Sequence, residues 1–243
     1  MFSYIWHTFF FDPVYNLLVF FLDVIPGGDM GLAIIATVVV IKIVLFPLSI
    51  KAVKTQKIMR EIEPKLKALK EQYKDNREAQ ARAMMEVYKE AGMNPFASIL
   101  VLFIQLPIII ALGIVAVYGS GGIKLPDINP EILYTFIPMP ESVSMLFLGH
   151  FDIAASSLFL ALLAGATQYV STSLSLPKLA PRDPNAAPDM KEDFMRNMQV
   201  QMKYVMPVIM VFVAYAFSAA IALYFVVSNV TTIIQELLVR KHR

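Results

Sequence analysis

The chain has 243 residues, 57% of them hydrophobic, with a mean hydropathy of +0.61 and a formal net charge of only +2. That balance is too apolar for an ordinary soluble domain and points to an integral membrane protein. With no cysteine, the chain has no disulfide, zinc–thiolate site, cysteine nucleophile or lipidated cysteine anchor. His7, His150 and His242 stand singly, none with a second ligand at metal spacing, so neither a metal nor a cofactor is expected.

Residues 1–29 are aromatic and apolar but lack the basic start of a cleavable signal peptide. Within them 13–25, "PVYNLLVFFLDVI", reads as an amphipathic helix on the outer surface, too short to cross ~30 Å. "PGGD" then turns the chain into a first span over 30–50. That span contains Lys42, with eleven uncharged residues before it from Gly31 and eight after it to Ile50. A central lysine costs ~2.5–3.5 kcal/mol on insertion scales, and its stem can snorkel only part of the way out.

Residues 51–93 form the longest charged block. Ile62, Leu66, Leu69 and Tyr73 mark one helical stripe, Ala81, Met85 and Tyr88 another, and "KDN" at 74–76 supplies a turn. This predicts a cytoplasmic helical hairpin. It is either a solvated connector or a docking arm, with Met84, Met85 and Tyr88 as contact residues.

A second span is expected over 94–118, an external Gly/Pro-rich loop over 119–152, and a third span over 153–175. A proline-rich cytoplasmic loop over 176–202 leads to a fourth span at 203–217 and a fifth at 218–239, joined by a tight hairpin near Phe217–Ala219. The end, 240–243, is a basic cytoplasmic tail. Nineteen of the 21 Lys and Arg lie in 51–93, 153–203 and 240–243, which the positive-inside rule puts in the cytoplasm. The N-terminus is then outside and the C-terminus inside.

No Asp or Glu stands inside any expected span to neutralise Lys42; Asp152 and Glu236 lie at span ends. Uncharged polar residues do. Gln168, Ser171, Thr172 and Ser175 fall on one face of the third span. Ser228, Thr231, Thr232 and Gln235 repeat that spacing in the fifth, with Asn229 beside them. Gln105 stands near the middle of the second. Singly, such residues back-bond to their own helix or join helices. Two matching stripes and Lys42, all in inner halves, predict a hydrophilic groove open to the cytosol and closed toward the outside.

"IKIVLFPLSIKAVKTQKIM", "EIEPKLKALKEQYKDN", "MMEVYKEAGMNP", "IQLPI" and "ALYFVVSNVTTIIQ" together resemble the YidC/Oxa/Alb family of membrane-protein insertases. The resemblance runs from about residue 12 to 239, with Lys42 five residues before Pro47 and the run Asn94, Pro95, Gln105, Pro107 among its strongest parts. It implies the family's minimal core: five helices around a groove, with Lys42 as the groove cation and Gln168 as a polar site in the third helix. Phe225 stands where a tryptophan often follows "LY". The implied client-groove set is Lys42, Gln105, Gln168, Ser171, Thr172, Phe225, Ser228, Asn229 and Thr232.

The implied activity, which is not that of an enzyme, is insertion of nascent membrane proteins into the cell membrane. The implied partners are clients, the ribosome, a Sec-type translocation channel and the lipid bilayer; no nucleic-acid motif is present. A small-anion transporter and a structural subunit of a membrane complex are the alternative readings. The absence of inverted repeats and of polar outer halves counts against the transporter.

Overall fold

The computed structural model describes residues 2–92, 97–115, 127–176 and 196–241, and these are mostly helical. They divide into two compact units, one of Met1–Lys42 with Ile108–Arg243 and the other of Ile43–Pro107.

The first unit begins with α1 (Phe2–Trp6), a π-helical turn (His7–Phe11) and α2 (Asp12–Val24). The helix therefore starts eleven residues before Pro13, where the sequence reading began it. Proline is favoured in a first helical turn because it has no N–H to donate. Here the wider turn carries the helix past that defect, with the Asp12 N–H reaching back to the His7 carbonyl. Phe11, Val14, Tyr15, Leu18, Val19 and Leu22 form the buried face at helical spacing.

Two polar side chains on this helix grip the distant loop at 129–134. The Asn16 amide donates to the carbonyls of Asp12 (2.8 Å) and Ile132 (2.9 Å), and its oxygen accepts from the Tyr134 N–H (2.7 Å). The Tyr15 hydroxyl accepts from the Asn129 N–H at 2.8 Å. Burial, and then the charge of Asp12, holds the Tyr134 phenol above its usual range.

One end of this unit is stitched together by backbone. Asp29 caps α3 (Met30–Gln72) by accepting from the Leu32 N–H at 3.0 Å, while its other oxygen accepts from the Leu148 N–H at 2.7 Å. The Met30 N–H donates to Ser144, and the Ser144 N–H to Gly28. A short hairpin, β1 (Leu146–Phe147) against β2 (Phe151–Asp152), leads to Ile153 and Ala155, whose carbonyls accept from Ala220 and Ala219. Gly28 has φ +58°, and a Cβ there would sit 2.0 Å from the Ser142 carbonyl oxygen. Gly28→Ala is therefore expected to cost about 2–4 kcal/mol, read as a lowered thermal midpoint in detergent.

The rest of the unit is α6 (Leu158–Ser175), a π-helical turn (Gln201–Val205) running into α7 (Met206–Phe217), and α8 (Ala219–Lys241). α6 packs along both α7 and α8. Small residues permit the approach: a Cβ on Gly165 would meet Val211 at 2.3 Å and the Pro207 carbonyl at 3.0 Å. Ser157 caps α6, so this helix begins five residues after the expected 153, and Ser218 in extended backbone makes the expected break between α7 and α8.

In the second unit α3 continues without interruption into the first arm of the hairpin, through Pro47 and Pro64. A turn at 73–76 and an Asn76 cap on Ala79 start α4 (Arg77–Glu90). Lys65 and Glu90 join the arms at 2.7 Å, and Gln80 donates to the Lys70 carbonyl. Leu66 is buried, as its stripe predicts. The second stripe is rotated: Val87 is buried and Ala83 and Met84 half-buried, whereas Ala81 and Met85 face out. α5 (Ala97–Gly113), which enters both units, has Pro107 within it.

Among the described residues five helices are long and apolar enough to cross a membrane: Ser3–Val24, Met30–Ala52, Leu158–Ser175, Arg196–Phe217 and Ala219–Leu238. The all-α membrane architecture read from the sequence stands. The membership differs, because the N-terminal helix meets the length criterion, while α5 shows 17 residues, at the short limit for a span. The flanks 94–96 and 116–118 of that expected span lie outside the described residues, as do 119–126, 177–195 and 242–243. The fourth helix is seven residues longer than expected, so that Lys203, first in the expected span, lies inside it.

Candidate functional site

Lys42 stands on a helix whose two sides are unlike. Met30, Ala33, Ile34, Thr37 and Val38 are buried, and steps of four from Met30 through Ile34 and Val38 lead to Lys42. The next two residues, Ile43 and Val44, are 66% and 69% exposed. The lysine therefore continues the core-facing stripe, four residues on from Val38. It is half-buried and makes no hydrogen bond or ion pair with any described residue. An ammonium so placed needs water or a visiting anion to solvate it.

The two polar stripes lie on α6 and α8, which pack together in the same unit as Lys42. Ser171, Thr172, Ser228 and Asn229 are buried, and Gln168, Thr231, Thr232 and Gln235 half-buried. Much of their hydrogen bonding is local. Gln168 donates to Thr172 at 3.0 Å, and the Thr231 and Thr232 hydroxyls donate to the Ser228 carbonyl. Asn229 bridges the helices, reaching the Ala164 carbonyl (3.4 Å) and the Thr167 hydroxyl (3.3 Å). Asn229 thus also serves as a helix-to-helix link.

Phe225 is half-buried and meets Tyr224 edge-on, with ring centroids 5.4 Å apart. Gln105 belongs to the other unit, where it is half-buried on α5. Of the hairpin residues, Met85 is exposed and Met84 and Tyr88 are half-buried.

The model of the 60Kd inner membrane protein family matches residues 21–243, nearly the whole chain. The chain belongs to this family. It is 31% identical over 242 residues to the membrane protein insertase YidC of Oceanobacillus iheyensis, covering 98% of this chain and 84% of that one. It is 31% identical over 216 residues to YidC of Clostridium tetani, covering 89% and 84%. Against YidC of Ectopseudomonas mendocina it is 30% identical over 237 residues, which is 97% of this chain but 34% of the relative. The chain thus spans about a third of that longer relative and most of the two shorter ones. Membership, with the apolar helices, makes it a multi-pass cell-membrane protein.

Within this family member, sequence reading missed four side chains. Asn16 and Tyr15 carry the links to the loop at 129–134. Thr37 has a buried hydroxyl without a partner, five residues before Lys42. Lys203, the first residue of the expected fourth span, lies well inside a spanning-length helix. The signal for Asn16 was present, since an amide within an apolar run needs a partner. Its partner is 116–118 residues away and has no local signature.

Proposed function

We propose that the chain is a membrane protein insertase, the activity for which its relatives are named. The observation that carries this reading is a core-facing Lys42 without a counter-ion among the described residues, in a unit whose other end is tied together by backbone hydrogen bonds; that end is read as the sealed one. A hydrophilic client segment enters the groove formed by Lys42, Gln168, Ser171, Thr172, Phe225, Ser228, Asn229 and Thr232. Lys42 attracts its acidic residues: at ~4 Å and an effective dielectric of ~20 the pair is worth ~4 kcal/mol before desolvation. That favours entry without trapping the client. The client's apolar span then partitions into lipid, and its burial draws the short segment across. No bond is made or broken.

In this reading the sealed end faces outward and the hairpin and C-terminus face the cytoplasm, as the basic residues require. The N-terminal helix lies along the outer surface although it is long enough to span. Its middle, at Tyr15 and Asn16, is tied to a loop that carries Asp127 and Glu131, and a spanning helix would pull those charges into the bilayer. The hairpin, through Met84, Met85 and Tyr88, docks the ribosome or nascent chain, and a Sec-type channel is a further partner.

The test is translation of a small single-span client in the presence of liposomes, scored by protease protection. Protection that requires the purified chain is the expected result. Equal protection in empty liposomes carrying ribosomes would overturn the reading.

A further inference from the structure

Lys203 is a second cation within a spanning-length helix, and its setting differs from that of Lys42. It sits in the π-helical turn Gln201–Val205, a form of helix that often marks functional positions. Its Nζ lies 5.3 Å from the ring centroid of Tyr204 and 5.8 Å from that of Tyr169, and the rings are 5.9 Å apart. Both distances fall within cation–π range. The two tyrosines come from packed helices, so the cluster is held by the fold.

Among the described residues Lys203 has no carboxylate partner, and neither the Tyr169 nor the Tyr204 hydroxyl has a hydrogen-bond partner. Val200, Met202, Val205 and Met206 around it are exposed, so this face meets lipid where Lys42 meets the core. Fourteen residues separate Lys203 from Phe217, ~21 Å of helix, which leaves ~9 Å of a ~30 Å hydrocarbon layer toward the Arg196 end. A lysine stem covers much of that distance.

We infer that Lys203, Tyr169 and Tyr204 bind the phosphodiester of an anionic phospholipid in the leaflet at the Arg196 end of this helix. A phosphodiester offers several acceptor oxygens to one ammonium and two phenols. A zwitterionic lipid offers the same phosphate but brings a cation that Lys203 repels. A carboxylate of a client is the other anion available, but the cluster lies on the lipid-facing side.

The test places the purified full chain in nanodiscs of equal phosphatidylglycerol and phosphatidylcholine and measures, with spin-labelled lipids, the immobilised fraction of each. No client is present, so the outcome is independent of the insertase reading. A several-fold preference for phosphatidylglycerol is expected. Lys203→Gln should abolish it and Lys203→Arg retain it, while Lys65→Gln, which also removes one charge, leaves it unchanged. Tyr169→Phe with Tyr204→Phe keeps the rings and should weaken it. A preference that survives Lys203→Gln overturns the proposal, as does displacement of the lipid by inorganic phosphate. Loss of acidic-client cross-linking in Lys203→Gln with lipid preference intact would assign the cluster to clients and also overturn it.

Discussion

Lys42→Ala is expected to lower insertion of a client with an acidic transferred tail by about tenfold or more, which corresponds to ~1.4 kcal/mol of lost attraction. Lys42→Arg should retain most of the activity, because charge and not shape is used. A client matched in length but with a neutral tail should respond much less. The contrast follows from the position of Lys42 on the core-facing stripe without a counter-ion, where an approaching carboxylate has no competitor among the described residues. Initial rates of protease protection for the two clients, in proteoliposomes of equal protein content, give the comparison. Equal losses for both clients would make Lys42 a structural residue.

The second large effect concerns the N-terminal helix. Asn16→Ala is expected to destabilise the chain by about 2–4 kcal/mol, because it strips a partner from the Tyr134 N–H and the Ile132 carbonyl at a site only 1% exposed. Tyr15→Phe removes only the acceptor of the Asn129 N–H and should cost about 1 kcal/mol. Thermal midpoints in detergent give the order of the two, and limited proteolysis should cut the loop at 127–137 sooner in Asn16→Ala. An Asn16→Ala variant as stable as Tyr15→Phe would show that the loop is held elsewhere.

Much of the architecture was legible because the bilayer imposes coarse rules. Long apolar runs had to be helices, and clustered Lys and Arg marked the connections between them. The polar stripes of α6 and α8 were visible as a spacing, and the structure places both on packed helices of one unit. The boundaries failed where a local rule met a compensating device. Pro13 looked like a helix start, but a π-helical turn carries the helix past it. Lys203 stood at the first position of the expected fourth span, but the helix continues back to Arg196 and two tyrosine rings flank the lysine within it. The second hairpin stripe was set from Met85 and Tyr88, whereas packing selected Val87 and Met84 one position away. Links such as Asn16 to Tyr134 join residues 118 apart and leave no periodic trace.

The absence of native cysteine allows water access around Lys42 to be read from single introduced cysteines without background. Lys42→Cys, Ile43→Cys and Thr37→Cys would each be treated with a charged, membrane-impermeant thiosulfonate from either side of oriented vesicles. Ile43 is exposed on the apolar part of a spanning-length helix and Thr37 is fully buried, so in a bilayer both should stay unlabelled. Lys42→Cys should react rapidly from the side of the hairpin and C-terminus and not from the side of the sealed end. A Lys42→Cys as inert as Ile43→Cys, or one labelled equally from both sides, would contradict a wet groove closed at one end.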